Sequence, residues 1–310
     1  MHILALVPGG ISDQILFFPT LETLKHRYPN AAIDVVTHPQ AVGAYRVAPT
    51  VRKAIPFNFR DRNSLADWSN LLGVIREQEY ELVLTAQGGW AVGVLLWLSG
   101  IPERIGFANQ GTGFLTQSIV EKSNQYLAQR YHDLLQGIGV SQPCPEIKVT
   151  IPRKELDWAE KEQQRLGIGN GYLLVDASGG DYPSRSWSLI LKNIQEQQPD
   201  LPIVLIQPEV ATDLPAALQD AGISFKTLIP EEPAKLSALI AGANLVLCTE
   251  GDTLQLAVAV QTFTVALLGA TKIERYLPQS DRFVGLQSTT SSMKDISPQQ
   301  VLDVLAGKRG

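Results

Sequence analysis

The sequence predicts an α/β protein with two doubly wound parallel-sheet domains in tandem. Short apolar runs rich in Val, Ile and Leu recur along the 310 residues, and a longer segment with helical spacing follows most of them. Continuous apolar strands are typical of parallel sheets that helices cover on both faces. The alternation pauses at 139–152, where prolines cluster. We therefore expect domains at 1–150 and 151–310, with the last helix free to pack back on the first domain.

The expected elements follow from this periodicity. Strands are expected at 2–7, 32–37, 81–86, 172–177, 203–207, 244–248 and 263–268. Helices are expected at 13–28, 64–79, 124–138, 153–166, 186–198, 233–242, 252–260 and 297–306. The last helix has a clear start, with Ser297 as its cap, Pro298 at the first helical position and Gln300 closing a capping box.

Composition narrows the class of protein. Hydrophobic residues make up 45% of the chain and charged residues 18%, which is typical of a globular protein. A net charge of −5 disfavours nucleic acid as a partner. Cys144 and Cys248 form no cluster, so they predict free thiols in a reducing compartment. The most apolar later window, 90–101, is too short to span a bilayer. We expect a soluble, cytoplasmic protein.

Ligands of such sheets bind beyond the carboxyl ends of the strands, so the loops there are the candidate sites. The first loop, "VPGGISD" (7–13), has two glycines that allow a ligand close to the backbone. It lacks the G-x-G-x-x-G pattern, which disfavours a nicotinamide or flavin site. Asp13 lies where the first helix begins, and a helix cap and a catalytic base both remain open for it.

Two loops of the second half favour an anionic ligand. The loop "DASGGDYPSRSWS" (176–188) joins a Gly- and Ser-rich turn to Arg185, which suits a diphosphate, although a polar loop beside a core tryptophan remains open. The loop "CTEGDTLQLAVAV" (248–260) aims the N–H groups of a helix start at the same edge, with Asp252 or Thr253 as an alternative N-cap. A third loop, "LLGATKIERYLP" (267–278), is a weaker signal.

Other catalytic classes are disfavoured by what the sequence lacks. It contains no D-x-D pair that could chelate a metal on a diphosphate, and no G-x-S-x-G elbow of a hydrolase. Its four histidines are scattered, at His2, His26, His38 and His132.

The sequence resembles the heptosyltransferase-like glycosyltransferases, family 9. The motifs that carry the resemblance are "SDQILFFPTLETLKHRYPNAAID" (12–34), "YELVLTAQG" (80–88), "RIGF" (104–107), "QYLAQRYHDLLQGIG" (125–139) and "LSALIAGANLVLCTEGDTLQLAVAVQTFTVALLGAT" (236–271). They cover almost the whole chain. The resemblance implies the GT-B fold, in which two Rossmann-like domains face a central cleft.

The resemblance implies an inverting, metal-independent glycosyltransferase. Such an enzyme moves heptose or a related sugar from a nucleotide-diphosphate donor to a lipopolysaccharide or other cell-surface glycan, with no cofactor besides the nucleotide sugar. By position, Asp13 becomes the general base, and Arg185 lies near the donor phosphates. The other donor-site positions are Gly10, Ser178, Gly179, Glu209, Glu250, Gly251, Asp252, Thr253, Gly269 and Thr271.

The acceptor side is predicted from "VRKAIPFNFRDRNS" (51–64), where Arg52, Lys53, Arg60 and Arg62 lie near two phenylalanines. Acceptors in this family are often anionic glycolipids, so we expect Arg60 and Arg62 to bind the acceptor, with peripheral contact at the inner membrane face. A solvated loop remains the alternative.

The donor end departs from the family pattern. The usual D-[ST]-G-x-x-H-L-A stands as "EGDTLQLA" (250–257), so Glu250 replaces Asp and Gln255 replaces His. "GAT" replaces GPT, and "DAS" (176–178) replaces a PGA turn. The donor is then a different nucleotide sugar, or transfer has weakened and the chain is a sugar-nucleotide or partner-binding module. A GT-B sugar-nucleotide epimerase is a third, less favoured, alternative.

Overall fold

The computed structural model describes residues 1–108, 111–122, 124–207 and 213–307. The chain divides into two compact units, Met1–Thr150 and Ile151–Gly310. Each unit contains one six-stranded sheet in which all neighbouring strands are parallel. The predicted α/β class with two doubly wound sheets is confirmed.

The first unit alternates strands with helices. Its strands are β1 (His2–Val7), β2 (Ala32–Thr37), β3 (Val51–Pro56), β4 (Leu82–Thr85), β5 (Glu103–Phe107) and β6 (Gln117–Ile119). Its α-helices are α1 (Ile11–Arg27), α2 (Leu65–Arg76), α3 (Trp90–Ser99) and α4 (Leu127–His132), with 3-10 helices at Pro39–Val47, Thr112–Phe114 and Asp133–Ile138. The sheet order is β3-β2-β1-β4-β5-β6, so the connections change direction between β1 and β4.

Three strands of this sheet are absent from the sequence prediction. The strands β1, β2 and β4 are buried and therefore apolar, which made them predictable. The strand β3 lies at the sheet edge and carries exposed Arg52 and Lys53. These residues are typical of a loop, so the prediction of a basic loop over this segment is wrong. β6, at the opposite edge, has only three residues and none of them is buried, and β5 begins with the charged residues Glu103 and Arg104, so neither strand forms a long apolar run.

The helix α3 forms from the apolar window of the sequence. It contains no charged residue, and Val92, Leu95 and Leu96 are buried while Trp90 and Trp97 remain exposed. Within the residues that the structure describes, no helix has the length and apolar character needed to cross a membrane.

The second unit repeats the same topology. Its strands are β7 (Leu173–Asp176), β8 (Ile203–Ile206), β9 (Lys226–Leu228), β10 (Leu245–Thr249), β11 (Thr264–Leu268) and β12 (Phe283–Gln287). Its α-helices are α5 (Arg153–Leu166), α6 (Ser184–Gln197), α7 (Leu214–Asp220), α8 (Pro233–Gly242), α9 (Asp252–Ala259), α10 (Ile273–Tyr276) and α11 (Pro298–Gly307). The order β12-β11-β10-β7-β8-β9 places the change of direction between β7 and β10. The sequence does not predict four of these elements, β9, β12, α7 and α10, of which β9 and α10 have only three and four residues.

The last helix packs within this second unit. Buried Val301 and Leu305 of α11 join the core cluster that contains Ile190 and Ile194 of α6. Its start confirms the predicted capping box: Ser297 N–H donates to Gln300 Oε1 over 2.8 Å, and Gln300 N–H donates to Ser297 Oγ over 3.3 Å.

Candidate functional site

Asp13 lies in the first turn of α1, at the carboxyl edge of the first sheet. Gly10 is the N-cap residue, and its N–H donates to Asp13 Oδ2 over 3.2 Å. Gly9 has φ of +95°, and a Cβ built on it would lie 2.0 Å from that same oxygen. The half-buried carboxylate thus rests against the glycine turn, which explains why the sequence needs glycine at position 9. Asp13 therefore supports the helix start, and this role is compatible with that of a base.

A tyrosine that the sequence analysis did not single out also contacts this carboxylate. The Tyr131 hydroxyl of α4 donates to Asp13 Oδ1 over 3.1 Å. The two residues lie 118 positions apart, so no local sequence signal could have paired them. Tyr131 does belong to the motif 125–139 that contributed to the family resemblance.

A buried glutamine, Gln14, is hydrogen-bonded to the backbone of the same turn. Gln14 is fully buried, and its Nε2 donates to Val7 O over 3.2 Å and to Gly10 O over 3.3 Å. Tyr45 O–H donates to Gln14 Oε1 over 2.5 Å. Burial raises the pKa of Tyr45 well above its usual value, so the phenol stays a donor. The turn before α1 is therefore held by the core of the first unit.

A cavity of about 250 Å³ lies beside this turn, at the carboxyl ends of β1, β2 and β3. The loop after β3 contributes aromatic rings and a cation, and the full lining is Pro8, Gly9, Gly10, His38, Gln40, Phe57, Asn58, Phe59 and Arg60. The ring centroids of Phe57 and Phe59 are 5.0 Å apart, and that of Trp68 is 5.2 Å from Phe57. The cavity combines apolar rings, amides and one guanidinium, which suits a sugar ring bearing an anionic group.

The predicted basic cluster of this region divides in two. Arg60 lines the cavity, and Arg62 is an exposed residue of the same loop. Arg52, by contrast, lies in β3 and is bound to the buried Asp34, with Nε 2.9 Å from Oδ1. Lys53 also lies in β3, so the loop that bears Arg60 contains only two of the four basic residues.

In the second unit, the loops after β7 and β10 meet at the switch point. Thr253 O–H donates to Asp176 Oδ2, and Ser178 N–H donates to Asp176 Oδ1 over 2.9 Å. Gly179 N–H donates to Thr249 Oγ1 over 2.9 Å. The bonds from Thr253 to Asp176 and from Gly179 to Thr249 join two loops that are 70 or more residues apart in sequence. Gly251 is the N-cap residue of α9, so the alternative of Asp252 or Thr253 as N-cap is wrong.

Glycines let these loops approach closely. A Cβ on Gly179 would lie 2.1 Å from Glu250 O, and a Cβ on Gly269 would lie 2.9 Å from Ser291 O. A Cβ on Gly269 would also lie 3.7 Å from Glu250 Oε1, so the Glu250 carboxylate reaches the end of β11. Glu250 Oε2 is enclosed and accepts no hydrogen bond from the described residues. The same holds for Gln255 Oε1, whereas Gln255 Nε2 donates to Tyr276 O over 3.0 Å.

The remaining predicted donor residues take different places. Arg185 is an exposed residue in the first turn of α6, and Thr271 is half-buried between β11 and α10. Glu209 lies outside the described residues. The structure therefore brings together Ser178, Gly179, Glu250, Gly251, Asp252, Thr253 and Gly269 around the carboxyl ends of β7, β10 and β11.

This edge of the second sheet carries several carboxylates. Asp176 is only 7% exposed and Glu250 is half-buried, while Arg185 supplies a positive charge at the start of α6. A diphosphate bound here would depend on the backbone N–H groups and positive end of α9 and on that arginine. Across the described parts of the chain, no cluster of three or more His, Cys, Asp or Glu is arranged to hold a metal ion.

Known proteins share this architecture over nearly the whole chain. A glycosyltransferase of family 9 from Veillonella parvula DSM 2008 superposes with a TM-score of 0.86 at 15% identity, covering 99% of this chain and 96% of that one. The Escherichia coli ADP-heptose lipopolysaccharide heptosyltransferase II gives a TM-score of 0.79 at 20% identity, covering 99% and 98%. Together with the two doubly wound sheets, these similarities define the class as a GT-B protein.

The sequence comparisons identify the family. The model of glycosyltransferase family 9 (heptosyltransferase) matches residues 68–305, and the chain therefore belongs to that family. Lipopolysaccharide heptosyltransferase 3 of Escherichia coli is 20% identical over 293 residues, which covers 88% of this chain and 84% of that protein. The photosynthetic NDH subunit of subcomplex B 1, chloroplastic, of Arabidopsis thaliana is 22% identical over 326 residues, which covers 94% of this chain and 70% of that protein. The family resemblance drawn from the motifs is confirmed.

Proposed function

We propose that this family 9 glycosyltransferase transfers heptose or a related sugar, with inversion and without a metal, from a nucleotide-diphosphate donor to a lipopolysaccharide or related cell-surface glycan. The observation that carries the proposal is the position of Asp13. Its carboxylate rests on a glycine turn at the carboxyl edge of the first sheet, and that turn also lines a cavity with Arg60. A carboxylate beside a cavity of that size can take a proton from a hydroxyl group held there.

In the proposed reaction Asp13 is the general base. The acceptor hydroxyl oxygen attacks the anomeric carbon while its proton passes to the Asp13 carboxylate, and the bond from that carbon to the diphosphate oxygen breaks. A single displacement of this kind inverts the anomeric centre. Arg185 offsets the negative charge that grows on the leaving diphosphate, since a guanidinium binds phosphate oxygens in bidentate fashion.

The donor is proposed to bind the second unit at the carboxyl ends of β7, β10 and β11. Backbone N–H groups from Gly251 onward would face the phosphates, and the half-buried Glu250 carboxylate would accept hydrogen bonds from ribose hydroxyls. One structural relative is named an ADP-heptose heptosyltransferase, which makes an ADP-linked sugar the first donor to test.

The acceptor is proposed to bind the first unit. Phe57 and Phe59 offer apolar ring surfaces, and Arg60 and Arg62 offer charge to an anionic glycolipid. Two relatives are named lipopolysaccharide or lipooligosaccharide heptosyltransferases, which supports a glycolipid acceptor. Contact with the membrane would then be peripheral, at the cytoplasmic face of the inner membrane.

Thermal-shift screening against nucleoside diphosphates and nucleotide sugars tests the donor side. A ligand at about 100 times its dissociation constant stabilises the native state by about 2.7 kcal/mol. We expect a shift with one nucleotide series, reduced in Arg185→Ala and retained in Arg165→Ala. Arg165 is a suitable control because it pairs with Glu162 on α5 at 2.6 Å. A shift that Arg185→Ala leaves unchanged would contradict the phosphate-binding role.

A partner-binding subunit on the same fold is a second candidate. The family matches give no support to a loss of activity. One relative, however, is named a subunit of a photosynthetic NDH subcomplex, and the match to it covers 94% of this chain. The Gln255 and Glu250 substitutions in the donor motif agree with such a role. Absence of any nucleotide-dependent shift in a well-folded protein would favour this candidate over transfer.

A further inference from the structure

The Tyr131 hydroxyl donates a hydrogen bond to the Asp13 carboxylate from a second helix. Asp13 Oδ2 accepts the Gly10 N–H over 3.2 Å, and Asp13 Oδ1 accepts the Tyr131 O–H over 3.1 Å. The carboxylate is therefore bound from two sides, by a backbone N–H of its own helix start and by a hydroxyl of α4. Hydrogen bonds donated to a carboxylate favour its charged form, so both contacts oppose protonation of Asp13.

The tyrosine is held rigidly by its surroundings. Tyr131 is 6% exposed, and its ring centroid lies 5.5 Å from that of Phe17 on α1. The Arg130 guanidinium lies 5.9 Å from the Tyr131 ring and forms an ion pair with Glu121 at 2.9 Å. A second bond between the two helices, from Thr23 Oγ1 to His132 Nε2 at 3.0 Å, fixes α4 on α1. The hydroxyl therefore has a fixed position relative to the carboxylate.

Other titratable groups of the first unit lie near this pair. The Arg130 guanidinium lies over the Tyr131 ring, and Tyr45 of the 3-10 helix is hydrogen-bonded to Gln14, the neighbour of Asp13. The imidazole of His132 is bonded to Thr23, ten positions further along α1. The Tyr131 hydroxyl donates directly to the Asp13 carboxylate, whereas the imidazole of His132 and the phenol of Tyr45 are hydrogen-bonded to other side chains.

We propose that Tyr131 is a positioning residue for Asp13, whose hydroxyl fixes the carboxylate and keeps it charged between reaction cycles. The proposal deepens the proposed function, since it rests on Asp13 acting as the base of transfer. Tyr131 reaches Asp13 through α4, so the base depends on two helices that are far apart in the chain. A base held in this way is ionised before the acceptor hydroxyl arrives.

The test is a pH titration of the Asp13 carboxyl carbon in the full-length chain. Aspartate labelled with ¹³C at the carboxyl gives one resonance per residue, and Asp13→Asn assigns that of Asp13. Tyr131→Phe removes only the hydroxyl and keeps the ring on Phe17. We expect the titration midpoint of Asp13 to rise by about one pH unit in Tyr131→Phe, the size expected for loss of one hydrogen bond to a charged group.

Tyr80→Phe is the matched control. Its hydroxyl donates over 2.6 Å to another buried carboxylate of the same unit, Asp34. It should leave the midpoint of Asp13 unchanged. An unchanged midpoint in Tyr131→Phe, with the protein folded, would overturn the proposal. This test and the test of the proposed function can fail separately. If the Asp13 midpoint shifts in Tyr131→Phe but Asp13→Asn still transfers sugar at the wild-type rate, Asp13 is not the base of the reaction. The contact between Tyr131 and Asp13 would still be established.

Discussion

The Thr253 hydroxyl donates a hydrogen bond to the carboxylate of Asp176, and this bond joins α9 to the end of β7 at the switch point of the second sheet. Both side chains are buried, at 3% and 7% exposure. The contact explains two features of the sequence together. An aspartate ends β7, and a threonine follows one position after the first residue of α9. The proposed donor site is therefore built on a polar bond between its two main loops.

Replacing Thr253 with valine should weaken this connection. The substitution removes a hydrogen bond to a buried charged group, which contributes about 1.5–3 kcal/mol. We expect urea unfolding to show a loss of that size and nucleotide affinity to fall. Thr262→Val is the control, because Thr262 is also buried but donates to a neutral carbonyl, Ile240 O, over 3.0 Å. Equal losses in the free energy of unfolding of the two variants would show that the charge of Asp176 does not strengthen its hydrogen bond with Thr253.

A methyl group at position 9 should disrupt the first unit's site. A Cβ on Gly9 would lie 2.0 Å from Asp13 Oδ2, at a φ of +95°, whereas a Cβ on Gly10 meets nothing within 4 Å. We expect Gly9→Ala to lower the transfer rate at least tenfold and leave nucleotide binding by the second unit unchanged. Gly73→Ala on α2 is the control, because a Cβ there meets nothing within 4 Å, and it should keep the transfer rate of the wild type. Similar transfer rates in the two variants would contradict the close contact between Gly9 and Asp13.

Gly179 provides the equivalent test in the second unit. A Cβ there would lie 2.1 Å from the backbone oxygen of Glu250, so the loops after β7 and β10 would have to separate. We expect Gly179→Ala to weaken nucleotide binding by about tenfold, which corresponds to about 1.4 kcal/mol. Calorimetric titration measures this, with Gly169→Ala as the control because a Cβ there meets nothing within 4 Å. Equal affinities would place the nucleotide away from this loop.

The ion pair between buried Asp34 and exposed Arg52 should make stability depend on pH. Burial raises the pKa of Asp34, but hydrogen bonds from Arg52 and Tyr80 and the charge of Arg52 outweigh burial, so the pKa lies below its usual value. A carboxyl with a lowered pKa stabilises the folded state above its unfolded pKa of about 4, and that contribution disappears as the pH falls through the folded pKa.

Asp34→Asn isolates this contribution. We expect it to lower the free energy of unfolding by about 1.5–3 kcal/mol at pH 7, the size expected when hydrogen bonds to a charged group are lost. The difference from wild type should shrink as the pH falls below about 4, where the wild-type carboxyl is itself protonated. Urea unfolding at several pH values measures it, and a difference that stays constant with pH would contradict the ion-pair account.

The central strands and site loops were predictable because burial leaves a direct mark on sequence. β1, β2, β4, β7, β8, β10 and β11 are apolar runs, and the segments that follow β1, β7, β10 and β11 contain Asp13 and the described donor-site residues. The edge strand β3 was missed because its exposed Arg52 and Lys53 are typical of a loop. The predicted basic cluster of four residues was wrong because Arg52 and Lys53 belong to this strand, and Arg52 forms an ion pair with Asp34.

Contacts between distant segments were beyond sequence reasoning. Tyr131 reaches Asp13 across 118 positions, and Thr253 reaches Asp176 across 77. Motif positions indicated that Asp13 and Thr253 mattered, but only the tertiary structure shows that Tyr131 and Asp176 are the side chains they bind. A single sequence records burial and turn chemistry well, whereas pairing of polar side chains depends on the tertiary fold.

The most direct test of the account is sugar transfer by Asp13→Asn compared with Asp67→Asn. Asp67 occupies the same third position in the first turn of α2, where it accepts the Ser64 N–H over 2.7 Å, so both variants lose an equivalent helix cap. The measurement is release of ADP from ADP-heptose in the presence of heptose-deficient lipopolysaccharide. Loss of at least about 100-fold in Asp13→Asn, with wild-type rates in Asp67→Asn, is the result that the account predicts. Equal rates in the two variants would contradict Asp13 as the base of the transfer reaction.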